Sequence, residues 1–225
     1  MIIAIDGPSG AGKSTLGKML AEKLNLLYLD TGAMYRAVGL AVLRAGIKEE
    51  DEKRIGEIAR QAEIKLVGPP DDQRVFLNGR DVSAEIRTGD AGRMASIVSA
   101  LPAVRRLLVE RQKTLGKTAE NGAVLDGRDI GTVVFPDADV KFFLTAKPEM
   151  RARRRFEEDL EKGRAVNFQQ TLADILERDQ RDVSREASPL KIAEDAIVID
   201  TSELDLPQVF EQMMSVIRKR EAVNG

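Results

Sequence analysis

Short apolar runs and amphipathic stretches alternate along the chain. Residues 2–6, 26–30, 123–126, 140–144 and 196–200 are near-continuous apolar segments of strand length, several of them ending in aspartate. Runs of that kind mark strands covered on both faces, as in a parallel sheet flanked by helices. Between them Leu16, Met19, Leu20 and Leu24 recur at helical spacing, and Leu206, Val209, Phe210, Met213, Met214 and Ile217 do the same near the C-terminus. Methionine at such positions is core filler rather than a cofactor box. The alternation predicts an α/β fold with five parallel strands.

One stretch departs from this rhythm. Residues 63–67 and 74–77 alternate polar with apolar positions, are separated by Gly68-Pro69-Pro70-Asp71-Asp72, and are followed by the hairpin signal Asn78-Gly79. A small antiparallel insertion within residues 63–88 is therefore expected. Pro102 opens a helix that runs to about residue 117, and a charged run from Arg151 to Asp159 follows the fourth strand. There is no internal repeat and no low-complexity segment.

Composition then narrows the class. The 225 residues, 43% hydrophobic and 32% charged, suit an ordinary globular chain of one or two domains. Lys and Arg total 35 against 37 Asp and Glu, a formal net charge of -2, so no whole-molecule basic field attracts nucleic acid. Any anion site must be local. No window resembles a membrane span, and neither a membrane nor a nucleic-acid partner is expected. The absence of cysteine excludes disulfides and thiolate metal sites and fits a reducing compartment. The first apolar run is only a strand long and leads directly into a glycine loop, so no cleavable signal is expected and a cytoplasmic location follows.

That loop, Gly7, Pro8, Ser9, Gly10, Ala11, Gly12, Lys13, Ser14 and Thr15, fits G-x-x-x-x-G-K-[ST] directly after a strand and directly before a helical pattern. Its glycines let backbone N–H groups turn inward around phosphate oxygens, and the helix points its positive end at the same place. Lys13 reaches the outer phosphates, and the Ser14 hydroxyl is a magnesium ligand. All nine residues are expected to bind ATP, with Mg2+ as its cofactor. A phosphate loop does not by itself name a reaction. No N-K-x-D guanine signature appears, and the modest length favours a small kinase.

The second strand runs into Leu29-Asp30-Thr31-Gly32-Ala33-Met34-Tyr35-Arg36, which places Arg36 about one turn inside a capped helix. Arg105, Arg128, Arg178 and Arg185 are further candidates. In a parallel α/β fold ligands sit beyond the carboxyl ends of the strands, where Arg36 and Arg128 both fall, so several guanidiniums there would clamp a second phosphate.

Taken together, GPSGAGKST, LDTGAMYR, ASIVSALPAVR, DGRDIGTVVFPDA, the arginine-rich run, ERDQRDVSR and the insertion at residues 63–88 resemble the bacterial cytidylate kinases. The resemblance covers nearly the whole chain. It implies transfer of the γ-phosphoryl group of ATP to CMP or dCMP by a monomeric enzyme built on a P-loop NTPase core. It also implies a core of about residues 1–30, 92–147 and 167–225, a substrate-binding domain of about 31–91, and a short helical lid of about 148–166. Arg36, Arg128 and Arg185 would hold the acceptor phosphate, Ser96, Arg105 and Asp129 would read cytosine, and Arg178 and Asp182 would contact the sugar. The lid run Arg151 to Arg155 would supply cations to the transferring group, Arg154 being the candidate placed beside Lys13 and Arg128 as catalytic. Asp126 is left either to support its turn or to serve the magnesium's water shell. Ser14, where many monophosphate kinases carry glycine, and Thr31, where serine also occurs, are mild departures.

The chain has no histidine. A monophosphate acceptor needs none, because its second pKa of about 6 leaves the attacking oxygen largely anionic near pH 7. Transfer then needs only positioning and charge stabilisation. A hydroxyl acceptor such as shikimate would instead need a carboxylate to take its proton, and several aspartates are available. Acceptors such as UMP or AMP, and a nucleotide-sensing protein without turnover, are the alternatives.

Overall fold

The computed structural model describes residues 1–224. The strand β1 (Ile2–Asp6) lies in the middle of a five-stranded parallel sheet, between β6 (Ala123–Gly127) and β7 (Val140–Thr145). The edges are β2 (Leu27–Asp30) beyond β6 and β8 (Ile197–Asp200) beyond β7. Register aligns Asp6 with Gly127 and Asp30 with Asp126, so the carboxyl ends of three neighbouring strands form one rim. Strand order reverses about β1, and ligands bind at such a crevice.

Helices α1 (Lys13–Leu24) and α8 (Leu206–Asn224) cover one face of the sheet, where Leu16, Leu20, Val209, Met213 and Ile217 bury against Ile3, Ile5, Tyr28 and Phe142. The other face, carrying Ala4, Leu29 and Leu125, packs on Val109 of α5 (Pro102–Thr118) and on Ile130 and Val134 of a single π turn. Met213 and Met214 are thus core residues. Leu206, which shares their spacing, is exposed at the first position of α8.

Two further helices, α2 (Thr31–Arg44) and α3 (Glu52–Gln61), join α4 (Gly89–Val98) and α5 in a second apolar cluster around Met34, Val38, Ile55, Met94 and Leu108. Gly39 permits the contact between α2 and α4, since a Cβ there would sit 2.9 Å from the Ala95 nitrogen. Beside α2 lies an antiparallel sheet of β3 (Ile64–Val67), β4 (Arg74–Leu77) and the two-residue β5 (Arg80–Asp81). The turn into β5 uses left-handed conformations at Asn78 and Gly79, with φ of 50° and 80°. Val75, Leu77, Val82 and Ile86 seal this sheet onto Ala37 and Leu40 of α2.

After β7 the chain forms α6 (Pro148–Glu161) and α7 (Phe168–Ser184). Phe156 and Phe168 meet edge to face across this pair, with centroids 5.9 Å apart. Among the described residues no helix is long and apolar enough to cross a membrane.

Candidate active site

The loop between β1 and α1 takes its path from glycine. A Cβ on Gly7 would lie 2.0 Å from the Leu144 carbonyl oxygen, and Gly7, Gly10 and Gly12 adopt φ of 144°, 79° and 90°. L-side chains rarely adopt those values. The chain enters α1 at Lys13, whose Nζ donates to the Pro8 carbonyl at 2.7 Å and folds back over the loop. Burial, and then the Arg128 guanidinium, push the Lys13 pKa well down from the usual lysine range. The carboxylates of Asp126 and Asp182 offset this only in part.

One residue further on, the Ser14 hydroxyl donates to Asp126 Oδ2 at 2.6 Å. Asp126 closes β6, and its main-chain carbonyl accepts from Thr31 Oγ1 at 2.6 Å. Burial, and then the neighbouring Asp30, raise the Asp126 pKa to about 6. Its Oδ1 is buried without a hydrogen-bond partner. A hydroxyl beside an unpartnered carboxylate oxygen, both hard oxygen donors at a phosphate loop, fits a hydrated magnesium ion. Among the described residues no group of three or more carboxylates, histidines or cysteines gathers to cage a metal, so phosphate oxygens and water would complete its shell.

Across the rim the arginines of α2 and α7 and of the segments just after β6 and α7 converge. Arg36 pairs with Asp30 at 2.9 Å, while Asp30 also accepts from the Ala33 nitrogen at 2.7 Å and so caps α2. Arg128 donates from Nε to Asp182 Oδ2 at 2.7 Å, and Arg185 lies 3.7 Å from the other oxygen of that carboxylate. Arg178 is half-buried beside them. Burial and then the charges of Arg128 and Arg36 lower its pKa to about 10. Arg36 Nε, Arg178 Nε and one terminal nitrogen of Arg185 are buried and unpartnered. Clustered half-buried guanidiniums with free donors suit an anion.

Deeper in, Arg105 and Asp129 form a buried ion pair, and the Arg105 guanidinium sits 5.5 Å above the Tyr35 ring. Arg105 also donates to the Ser99 carbonyl at 2.9 Å, one turn along α4 from the half-buried Ser96. The conformation of the 126–131 turn is held by Asp6, whose two oxygens accept from the Ile130 and Gly131 nitrogens at 2.8 and 2.7 Å. A buried carboxylate ending β1, opposite a glycine-rich turn, is the one signal in the chain that could have marked Asp6 in advance.

The arginines of α6 separate. Arg153 and Arg155 pair with Glu157 and Asp159 on their own helix, at 3.0 Å each. Arg154 donates to Thr201 Oγ1 at 3.0 Å, and Thr201 in turn donates to the Ala11 carbonyl at 3.3 Å, so Arg154 stands on the outer side of the loop. Arg151 faces inward, donating to the Ser9 carbonyl at 3.0 Å and to Asp179.

A glycine cradle at a helix N-terminus, with its lysine and serine, at the carboxyl rim of a parallel sheet and opposite a nest of half-buried arginines, defines a P-loop phosphotransferase. The family model described as cytidylate kinase matches residues 3–219, and the chain belongs to that family. It is 53% identical over 96% of its length to the cytidylate kinase of Caldanaerobacter subterraneus subsp. tengcongensis, 94% of which is covered. Against the cytidylate kinase of Citrifermentans bemidjiense the identity is 48% over 99% of this chain and 94% of the relative. A crystal structure of an uncharacterized protein from Eubacterium ventriosum shares the fold, with a TM-score of 0.52 and 14% identity over 97% of this chain and 98% of that one.

Proposed function

We propose that this ATP-dependent kinase moves the γ-phosphoryl group of ATP to CMP or dCMP, giving ADP and the diphosphate. One observation carries the acceptor reading. Arg36, Arg128, Arg178 and Arg185 bring several half-buried positive charges to one rim, opposite the phosphate loop, and leave buried donor nitrogens unpaired. A phosphate dianion on those donors would balance the charge and present an oxygen already ionised near neutral pH.

The loop from Gly7 through Thr15 binds ATP, with inward amides and Lys13 on the outer phosphates. Ser14, with Asp126 through a water, would hold Mg2+, which when bound would supply positive charge to the phosphates. Lys13 and Arg128 flank the path between the nucleotides and stabilise charge on the migrating group. Arg154 joins them from the lid, leaving Thr201 when ATP arrives. Arg178 and Asp182 hold the sugar.

Base selection falls to Ser96, Arg105 and Asp129. Cytosine offers an amino donor at N4 beside an acceptor at N3, so Asp129 accepts from N4 while Arg105 donates to N3 or O2. Uracil presents the opposite edge, and buried groups left unpaired that way cost up to about 10⁴-fold in discrimination.

Residues 31–91 act as the substrate-binding domain, 148–166 as the lid, and the remainder as the core. The enzyme works as a monomer in the cytoplasm. ADP release measured across CMP, dCMP, UMP, AMP and shikimate tests the reading. Fast turnover with the two cytosine nucleotides is the expected result. Preference for UMP, AMP or shikimate overturns the acceptor, and no turnover with any of them favours a nucleotide sensor.

A further inference from the structure

Arg151 stands in the first turns of α6 with only 3% of its side chain exposed, and its guanidinium is almost fully engaged. Its Nε donates to the Ala146 carbonyl at 2.9 Å, and Nη1 donates to the Ser9 carbonyl at 3.0 Å. The same fork grips Asp179, Nη1 to Oδ1 at 3.1 Å and Nη2 to Oδ2 at 2.5 Å. The loop lies directly against this side chain, because a Cβ on Gly10 would sit 3.1 Å from the Arg151 Cβ. One guanidinium therefore touches the phosphate loop, the connection between β7 and α6, and α7.

Asp179 has a particular setting. It follows Arg178 and precedes Asp182 by three residues on α7, and Asp182 holds Arg128 at 2.7 Å. A continuous chain of contacts thus runs from the Ser9 carbonyl through Arg151 and Asp179 to the helix that carries the sugar and phosphate residues. A planar bidentate fork fixes orientation as well as distance, which a lysine ammonium cannot do. With its donors committed in this way, Arg151 is placed to brace rather than to meet a phosphate.

We propose that Arg151, through Asp179, is a positioning residue that transmits occupancy of the phosphate loop to α7 and so couples the two nucleotide sites. ATP in the loop draws the Ser9 peptide onto its phosphates, and the brace turns that movement into a fixed orientation of Arg178 and Asp182. The coupling is reciprocal, since each nucleotide changes the affinity of the other by the same factor. The proposal rests on reading α7 as the acceptor helix.

The test pairs hydrogen–deuterium exchange with calorimetry on the full chain, using the magnesium complex of a non-hydrolysable ATP analogue. In the unmodified protein the analogue alone slows exchange in α7 (Phe168–Ser184) and tightens CMP binding by roughly five- to tenfold. Asp179→Asn removes both effects while the analogue still binds, Arg151→Lys does the same, and Asp179→Glu restores them at least in part. The brace is overturned if α7 in Asp179→Asn answers the analogue as the unmodified protein does, or if α7 of the unmodified protein does not respond. Failure of CMP to bind the unmodified protein counts against the acceptor reading alone, because the exchange measurement needs no acceptor.

Discussion

The Ser14 hydroxyl and the Asp126 carboxylate meet at 2.6 Å, joining the first turn of α1 to the end of β6. The hydrogen bond turns a serine lone pair toward the loop and leaves Asp126 Oδ1 free of any protein donor. Removing the charge of such a supporting carboxylate weakens metal binding by about 10- to 100-fold. Asp126→Asn is therefore expected to raise the Mg2+ concentration for half-maximal activity by about tenfold, leaving ATP binding in EDTA unchanged. Titration of activity against free Mg2+, with parallel calorimetry in EDTA, checks this. An unaltered Mg2+ requirement would return Asp126 to a purely structural part.

Lys13 differs from an ordinary surface lysine in being buried. Its ammonium suffers desolvation and the nearby Arg128 charge, so the nucleotide-free protein gains little from keeping it charged. Lys13→Met should cut turnover by about 10³-fold, because the cation nearest the migrating charge is lost. The nucleotide-free protein should melt no lower than the unmodified one. Single-turnover rates and thermal melting separate the two effects, and near-normal turnover would sink the catalytic role.

Much of this arrangement is legible in the chain itself. Strand runs such as residues 140–144 and the glycine pattern from Gly7 to Gly12 each carry a local physical signature, a buried run or a backbone that only glycine takes easily. The strand limits moved by a residue at several ends: β2 starts at Leu27 and β8 at Ile197, while β6 and β7 extend to Gly127 and Thr145. The strand β5 escaped because two residues carry no periodicity, and α3 because only Ile55, Gly56 and Ala59 are buried within a polar segment. Side-chain partnerships are harder still. Nothing in the spacing separates Arg151, tied to Asp179, from Arg153, two residues on and paired with Glu157 on the surface.

Asp129 and Arg105 are buried as a pair, so the base selection proposed for them would be tied to stability. Asp129→Asn keeps the shape but lets an amide face either base, so CMP turnover should fall more than UMP turnover and narrow the preference by at least about tenfold. Leaving Arg105 buried without its counter-charge should also cost about 3–5 kcal/mol. Initial rates on both nucleotides, with a denaturant melt of the nucleotide-free protein, read the two consequences. Equal loss on both bases would confine Asp129 to holding Arg105.

Asp6 gives the molecule a pH dependence of definite sign. Its carboxyl accepts from the Ile130 and Gly131 nitrogens, which favours the charged form, yet burial is the larger effect and raises its pKa from 3.8 to about 6. The folded protein therefore holds a proton there that the unfolded chain releases nearer pH 4. Between those values folding takes up the proton, so this residue's contribution is fully present below about pH 4 and fades as pH rises through 6. Asp6→Asn cannot ionise and should be less stable throughout, because one amide oxygen replaces two acceptors for the turn. The stability gap between the two proteins should be widest at the lowest pH and narrow as pH rises through 6, by up to about 3 kcal/mol. Melting curves at pH 4.5, 6 and 7.5 decide the matter, and a gap that widened with pH would show that the two backbone amides, rather than burial, govern the charge on Asp6.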